Sequence, residues 1–352
     1  MMLDQSILKA LSGDGATLTW LRFYCLKRNG CLLLALPENK KLARLTLELY
    51  QPQSLKAKIM VRAVGLLINF RLHLLFPYLD LEIKEDSVLG HFIEERQQLG
   101  LLLGNPEADT RKTIAIYCAG KKVEVAKIGI GQAAKQSVEK EAGLIKSCPE
   151  SYHGIPQIDK NCGIADHHYY TTAYITGCSP TQDEDSQILA LLADWIKHFK
   201  VCKVRETAIW RSLKAHGKNR KAENYSVFIE RLGNQEIKRG LYHGDFAPWN
   251  IKISEKGTVY VMDWEYARLD GLAGWDWLHY MIQRATLVSN HSATEVLAEC
   301  RLWAVTPEGR AFLCAAGWGQ HIEEWLGSYL VYSAWIAGFD REELLQVWSE
   351  GV

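Results

Sequence analysis

Three side chains with hard oxygens stand near one another in a single stretch of this chain. Residues 242–265 read YHGDFAPWNIKISEKGTVYVMDWE, with Asp245, Asn250 and Asp263 set among apolar neighbours. Asp245 and Asn250 share a loop with Gly244 and Pro248. Residues 251–254 and 258–262 are apolar-rich and flank Glu255-Lys256-Gly257, which predicts a hairpin. With a two-residue turn at Lys256-Gly257, Asn250 falls opposite Asp263. Opposed residues carry Cβ atoms about 4.5–5.5 Å apart, close enough to share one Mg²⁺ at about 2.1 Å. Asp245, a few residues earlier, is then placed to take a proton from a hydroxyl. A positioned base and two cation ligands are the equipment of phosphoryl transfer.

The rest of the chain must hold these groups. From residue 99 it reads as strands: 99–103 ends at Gly104-Asn105-Pro106, and 112–119 and 122–128 flank a tight Gly120-Lys121 turn. A helix follows over 132–145, then a strand over 169–175 closed by Gly177 and Pro180. An amphipathic helix over 188–200 sets Ile188, Leu191, Leu192, Trp195, Ile196 and Phe199 at helical spacing. Beyond it the pattern is helical, apart from the hairpin around residue 256. Strands first and helices after predict an α+β fold of two lobes with a cleft between them. Residues 1–95 read as an extension of mixed character: a helical start, a strand over 31–36 stopped by Pro37, then basic helices.

The run H-G-D-x-x-x-x-N followed by D-W-E, with thirteen residues from Asn250 to Asp263, resembles the catalytic and metal-binding loops of the aminoglycoside phosphotransferase and choline kinase family. That family is a relative of the protein kinases. The resemblance covers residues 96–300 at pattern level and leaves 1–95 outside as an extension of unknown role. It implies a two-lobed protein-kinase-like fold, with a β-rich nucleotide-binding N-lobe over 96–178 and a larger helical C-lobe over 179–352. It also implies ATP and Mg²⁺ as cofactors, Asp245 as the catalytic aspartate, and Asn250 and Asp263 as metal ligands. Glu265 would assist the metal or the substrate. Lys127, in V-E-V-A-K, is similar to the strand lysine on the α- and β-phosphates, and Glu141 is its helix partner, with Glu139 the alternative. Tyr174 and Ile175 would offer backbone groups to adenine, and Asp276, in G-W-D-W-L-H-Y, would brace the catalytic loop. Residues 104–111 hold one glycine where a G-x-G-x-x-G loop would cover the nucleotide, so phosphate contacts there stay unassigned. The implied acceptor is a small hydroxyl compound: an amino alcohol, a sugar or an aminoglycoside. Two alternatives remain: a nucleotide-binding regulator without turnover, and a protein kinase. Only thirteen residues separate Asp263 from Asp276, which leaves little room for a peptide-docking segment.

Bulk properties narrow the field further. Hydrophobic residues are 48% and charged residues 23%, the balance of a soluble globular chain. Lys plus Arg and Asp plus Glu are both 41, so no net charge points to nucleic acid. Residues 264–352 carry five basic and twelve acidic side chains, which would favour a cationic substrate or simply form solvated helix faces. The nine cysteines are scattered without a C-x-x-C pair, the usage of a reducing cytosol. No signal peptide is read at the start. Gly129-Ile-Gly131 has the look of a dinucleotide fingerprint, but no second parallel strand follows it. Trp249, Trp264, Trp275 and Trp277 are candidates for an aromatic cage or for core. The apolar run 59–79 is broken by Arg62, Arg71 and His73, too short for a membrane span. It reads either as a helix packed on the body or, with Lys40, Lys41, Lys56 and Lys58 upstream, as an amphipathic helix in peripheral contact with an anionic membrane.

Overall fold

A computed structural model describes residues 2–351 apart from 53–54, 94–97, 105–111, 165 and 220–222. The chain divides into two compact units, one of residues 1–147 and 156–175, the other of 148–155 and 176–352. The order of elements is the predicted α+β one, strands first and a helical remainder. The expected nucleotide-covering loop, 104–111, lies outside the described residues except for Gly104.

The first unit is built on one eight-stranded antiparallel sheet in the order β3-β1-β2-β4-β5-β6-β8-β7. Its strands are β1 (Thr17–Arg28), β2 (Cys31–Leu36), β3 (Tyr78–Lys84), β4 (Leu99–Leu103), β5 (Lys112–Ala119), β6 (Lys122–Ile130), β7 (Ile158–Ile164) and β8 (His167–Ala173). Four helices accompany it: α1 (Met2–Ser12), α2 (Lys40–Glu48), α3 (Leu55–Asn69) and α4 (Gln132–Ser147). One core joins Leu8 and Leu11 of α1 to Phe23, Leu101, Tyr117, Ile128 and Tyr169 of the sheet. A second joins Tyr24, Leu34 and Leu36 to Ala43 and Leu47 of α2 and Val64 and Ile68 of α3. Gly100 lets α2 lie against β4, because a Cβ there would overlap the Thr46 side chain.

The sheet runs straight across residue 95: β2 pairs with β4 through Leu34–Leu102 and Ala35–Leu101. One strand, over 31–36, is expected from the sequence before that point, and the described residues hold three. β1 escaped notice because both its faces are apolar where it is buried. Phe23 enters one core and Tyr24 the other, which erases the alternation that marks a half-buried strand. The run 59–79 is also not one helix. α3 ends at Asn69, Arg71 adopts a left-handed φ of 59°, a short 3₁₀ turn spans Leu72–Leu75, and β3 begins at Tyr78. The all-antiparallel sheet removes the dinucleotide-fold reading of Gly129-Ile-Gly131.

The second unit holds β9 (Lys200–Lys203), β10 (Glu236–Tyr242) and β13 (Arg268–Leu272) as a three-stranded sheet, and β11 (Ile251–Ile253) with β12 (Val259–Val261) as the expected hairpin. The three-stranded sheet was not foreseen. Its helices are α5 (Asp185–Lys197), α6 (Ala208–Asn219), α7 (Glu223–Gly233), α8 (Trp275–Gln283), α9 (Ala293–Ala304), α10 (Pro307–Ala316), α11 (Ile322–Trp335) and α12 (Glu342–Glu350). Trp264, Trp275 and Trp277 are fully buried among other aromatic rings, so they are core and not a cage; Trp249 is half-buried.

Because residues 1–95 supply three of the eight strands, a chain beginning at residue 96 should not fold. It loses Phe23, Leu34, Leu36 and Ile83 from the two cores, and each large buried aliphatic or aromatic group is worth about 2–5 kcal/mol. Together these are comparable to the about 5–15 kcal/mol that holds a domain together. Soluble yield and a thermal melt of residues 96–352 check this; a soluble, cooperatively melting fragment would refute it.

Candidate active site

In the second unit the chain leaves β10 at Tyr242 and enters His243-Gly244-Asp245. Gly244 has φ 87°, and a Cβ there would run into the Tyr266 backbone, so the turn requires glycine. The turn is held from beneath by Asp276, in the first turn of α8. One carboxylate oxygen accepts the His243 N–H at 2.9 Å and the other accepts the Gly244 N–H at 3.2 Å. Burial pushes the Asp276 carboxyl up to about 7, against the pull of those two N–H groups. The bracing role implied for Asp276 is the geometry found.

His243 is buried with its ring edge-on to Trp264, centroids 4.7 Å apart. Its Nε2 lies 2.9 Å from the Met262 carbonyl, and its Nδ1 lies 3.3 Å from the Asp245 N–H. A carbonyl can only accept and an amide N–H only donate, so the proton is on Nε2 and the ring is neutral. Burial lowers its pKa to about 4, in keeping with that state. His243 ties the loop to the end of the hairpin at Met262 and is not arranged as a base.

Asp245 has both carboxylate oxygens held. Asn250 Nδ2 donates to Oδ2 at 2.9 Å and to the Asp245 carbonyl at 2.9 Å. His279 Nε2 donates to Oδ1 at 2.9 Å, while its Nδ1 lies 2.7 Å from the Tyr329 hydroxyl. Burial depresses the pKa of His279 and pushes the Tyr329 phenol up to about 12, so a neutral ring sits between a phenol donor and a carboxylate acceptor. The Asp245 side chain remains 19% exposed. A carboxylate offers about four lone-pair sites, so a hydroxyl can still donate to it. His279 was not singled out from the sequence. It lies three residues after Asp276 in D-W-L-H-Y, and only its position on α8 below the loop distinguishes it from a core histidine.

The hairpin brings Asn250 and Asp263 near one another in a register one residue away from expectation. The pairs are Ile251–Val261, Lys252–Tyr260 and Ile253–Val259. The turn takes three residues, with the Gly257 N–H bonded to Ser254 O and Ser254 N–H to Thr258 O, and with Gly257 at φ 79°. Asn250 therefore faces Met262, whose N–H donates to the Asn250 carbonyl at 2.8 Å. Asp263 follows with φ 65°, a left-handed conformation that Asp tolerates but that costs energy. Its neighbour Trp264 is buried and donates from Nε1 to Val261 O at 2.8 Å, which holds the bend.

These donors suit a small hard cation. The Asn250 amide nitrogen is spent on Asp245, so its oxygen is the remaining end, and an amide oxygen and a carboxylate such as that of Asp263 are ligand types that Mg²⁺ takes. Among the described residues no group of three or more His, Cys, Asp or Glu side chains could hold a metal by itself. An ion here would complete its shell with water and phosphate oxygens, as Mg²⁺ commonly does.

The first unit has its own polar cluster. Lys127 on β6 lies 2.8 Å from both carboxylate oxygens of Glu141 on α4. Tyr170, directly opposite Lys127 on β8, donates its hydroxyl to Glu141 at 3.0 Å. Glu141 is 1% exposed and Lys127 8%, whereas Glu139 faces solvent. The structure thus pairs Lys127 with Glu141. Tyr174 and Ile175 follow the end of β8 two residues earlier than read. The Tyr174 N–H donates to Val123 O at 2.9 Å and its hydroxyl to Glu48 at 2.7 Å, so an adenine contact would not use that N–H.

No family model matches the chain, and no curated protein matches it. Among solved structures, the chain is similar to an aminoglycoside phosphotransferase, APH(4)-Ia, in ternary complex with AMP-PNP and hygromycin B. The identity is 15% and the TM-score 0.43, over 72% of this chain and 92% of that one. It is also similar to the choline kinase LicA from Streptococcus pneumoniae, at 14% identity and TM-score 0.42, over 71% and 92%. A microcompartment-associated aminopropanol kinase is similar at 13% identity and TM-score 0.43, over 75% and 92%.

The Asp276 clamp should be costly to remove. Asp276→Ala leaves two buried N–H groups unpaired, each worth about 1–3 kcal/mol. A loss of about 2–5 kcal/mol in urea unfolding is expected, and a loss under about 1 kcal/mol would contradict the clamp. The two buried groups also make opposite contributions to pH dependence. His243 is favoured neutral, so its contribution is complete above pH 6.5 and is lost as the pH falls towards about 4. Asp276, with its raised pKa, contributes most below 3.8 and loses that contribution as the pH rises through about 7. In Asp276→Asn only the histidine limb remains. Its stability should drop more steeply than wild type between about pH 6.5 and 4.5; parallel slopes in denaturant titrations would contradict this.

Proposed function

We propose that the protein is a phosphotransferase that moves the γ-phosphate of ATP to a hydroxyl of a small molecule, with Asp245 as the base. The observation that carries this reading is Asp245 itself. It is a partly exposed carboxylate fixed at both oxygens by Asn250 and His279, on a loop clamped by Asp276 and followed by a strained Asp263. A carboxylate serving only structure has no need of an exposed edge between two anchors, nor of a left-handed aspartate behind it. The acceptor would be an amino alcohol, a sugar or an aminoglycoside, and a cytosolic setting fits nine cysteines that are all free thiols.

In the reaction, Asp245 orients the acceptor hydroxyl and takes its proton. The acceptor oxygen bonds to the γ-phosphorus as the bond to the β–γ bridging oxygen breaks, and ADP leaves with that electron pair. Asn250 and Asp263 would hold Mg²⁺, which when bound offsets charge on the phosphates. Lys127, kept extended and charged by Glu141, would neutralise the α- and β-phosphates. Ile175 would meet adenine through its backbone.

The test is transfer of labelled phosphate from ATP across a panel of amino alcohols, sugars and aminoglycosides, wild type beside Asp245→Asn. Transfer to one class that falls by about 10²–10⁴ in Asp245→Asn is expected, the range for loss of a positioned base. Transfer unaffected by that substitution would rule out the base, and nucleotide binding with no transfer to any acceptor would favour the regulator. His279 is a positioning residue in this account. His279→Ala should lower kcat by about 100-fold with KM little changed, the cost of a small misplacement. His279→Gln, whose amide can occupy the place of Nε2, should recover most of it.

A further inference from the structure

We propose that the face formed by α3 and the 3₁₀ turn after it is a docking surface for an anionic lipid membrane. α3 is apolar on two opposite sides. Val61, Val64 and Ile68 turn into the core with Tyr24 and Leu36. Ile59, Ala63, Leu66 and Phe70 recur at three- and four-residue spacing on the other side. That second stripe is bare: Ile59 and Leu66 are more than half exposed, and Phe70 is 74% exposed. After the left-handed Arg71 the 3₁₀ turn adds two more exposed leucines, Leu72 at 43% and Leu75 at 80%. A monomeric soluble surface seldom leaves so many large apolar side chains together.

Charge selects the occupant. From Leu49 to Leu79 the sequence contains no Asp or Glu, while Lys56, Lys58, Arg62 and Arg71 lie on or beside the stripe. Lys56 and Arg62 fall on its two flanks by helical spacing, where their stems can lie along the apolar surface with the charged ends outward. An apolar stripe rimmed only by cations matches a surface of acyl chains beneath anionic headgroups. Three acids of this unit are engaged already, Asp80 with Arg22 at 2.7 Å, Glu82 with Lys84 at 2.7 Å, and Glu48 with the Tyr174 hydroxyl at 2.7 Å, while the exposed Glu38 lies by His73 on the buried side of the turn. Tyr78, beneath Arg22 at 4.3 Å, and Trp20 add exposed aromatic rings on β3 and β1, of the kind that settle at a membrane–water boundary. Among the described residues no helix is long and apolar enough to cross a membrane, so the contact is peripheral.

The experiment is co-sedimentation of the full chain with vesicles of phosphatidylcholine alone and of phosphatidylcholine mixed equally with phosphatidylglycerol. Size measurement by light scattering accompanies it. Binding at least about tenfold tighter to the anionic vesicles, weakened by salt, is expected. Each of Lys56→Gln and Arg62→Gln should weaken it by about fivefold, and the pair Phe70→Ser and Leu75→Ser should abolish it. All four side chains are exposed or outside the cores, so thermal melts should be unchanged, and phosphate transfer in solution should be unchanged as well. Absence of binding, equal binding to both vesicles, or binding indifferent to Phe70→Ser and Leu75→Ser would overturn the proposal. A dimer that dissolves in that double variant would also overturn it, by assigning the face to a second copy of the chain.

Discussion

A single buried carboxylate organises the second unit's chemistry. Asp276 takes both N–H groups of a turn that only glycine can make at residue 244, and so sets the direction in which the chain leaves β10. Every later contact depends on that direction. His243 reaches the Met262 carbonyl because the turn places it under Trp264, and Asp245 reaches Asn250 and His279 because the turn carries it past α8. The carboxyl gives up hydration to do this, which is why its pKa rises. Such a group is conserved in energy terms by its partners: removing it strands two donors, while replacing the whole arrangement with apolar groups would erase the loop.

The first unit relies on a comparable constraint. Lys127 and Glu141 are an ion pair inside protein, braced by a tyrosine hydroxyl from the neighbouring strand. A buried pair of this kind adds little net stability compared with apolar residues, yet losing one partner costs about 3–5 kcal/mol. Its value is to keep a cation charged and in one place. That is what the proposed contact with the α- and β-phosphates would need.

What could be read in the sequence follows from where local signals are strong. The strands over 99–103, 112–119 and 122–128 have clear alternation or a glycine turn, and the hairpin between the last two closed at Gly120-Lys121 as read. Asp276 was legible through the resemblance, whereas Glu141 and Glu139 stayed alternatives until burial against Lys127 separated them. The hairpin register was not, since Glu255-Lys256-Gly257 fits a two-residue or a three-residue turn, and only the closed hydrogen bonds decide. β1 was hidden because it is buried on both faces in its middle and exposes Leu18 and Trp20 at its start, which loses the period of two; β3 does alternate, Leu79, Leu81 and Ile83 against Asp80, Glu82 and Lys84, and went unread beside the apolar run before it. His279 was invisible for another reason: its role is a contact made across 34 positions of chain with Asp245, and nothing local signals it.

If Asp245 serves the chemistry while Asn250 and Asp263 hold the cation, two properties come apart that a merely structural loop would lose together. Calorimetric titration of ATP into wild type, Asp245→Asn and Asp263→Ala, each with Mg²⁺ and with a chelator, tests this most directly. The account predicts that Asp245→Asn binds Mg²⁺-ATP as wild type does, while Asp263→Ala binds equally weakly with and without the metal. Mg²⁺-dependent binding retained in Asp263→Ala, or lost in Asp245→Asn, would contradict it.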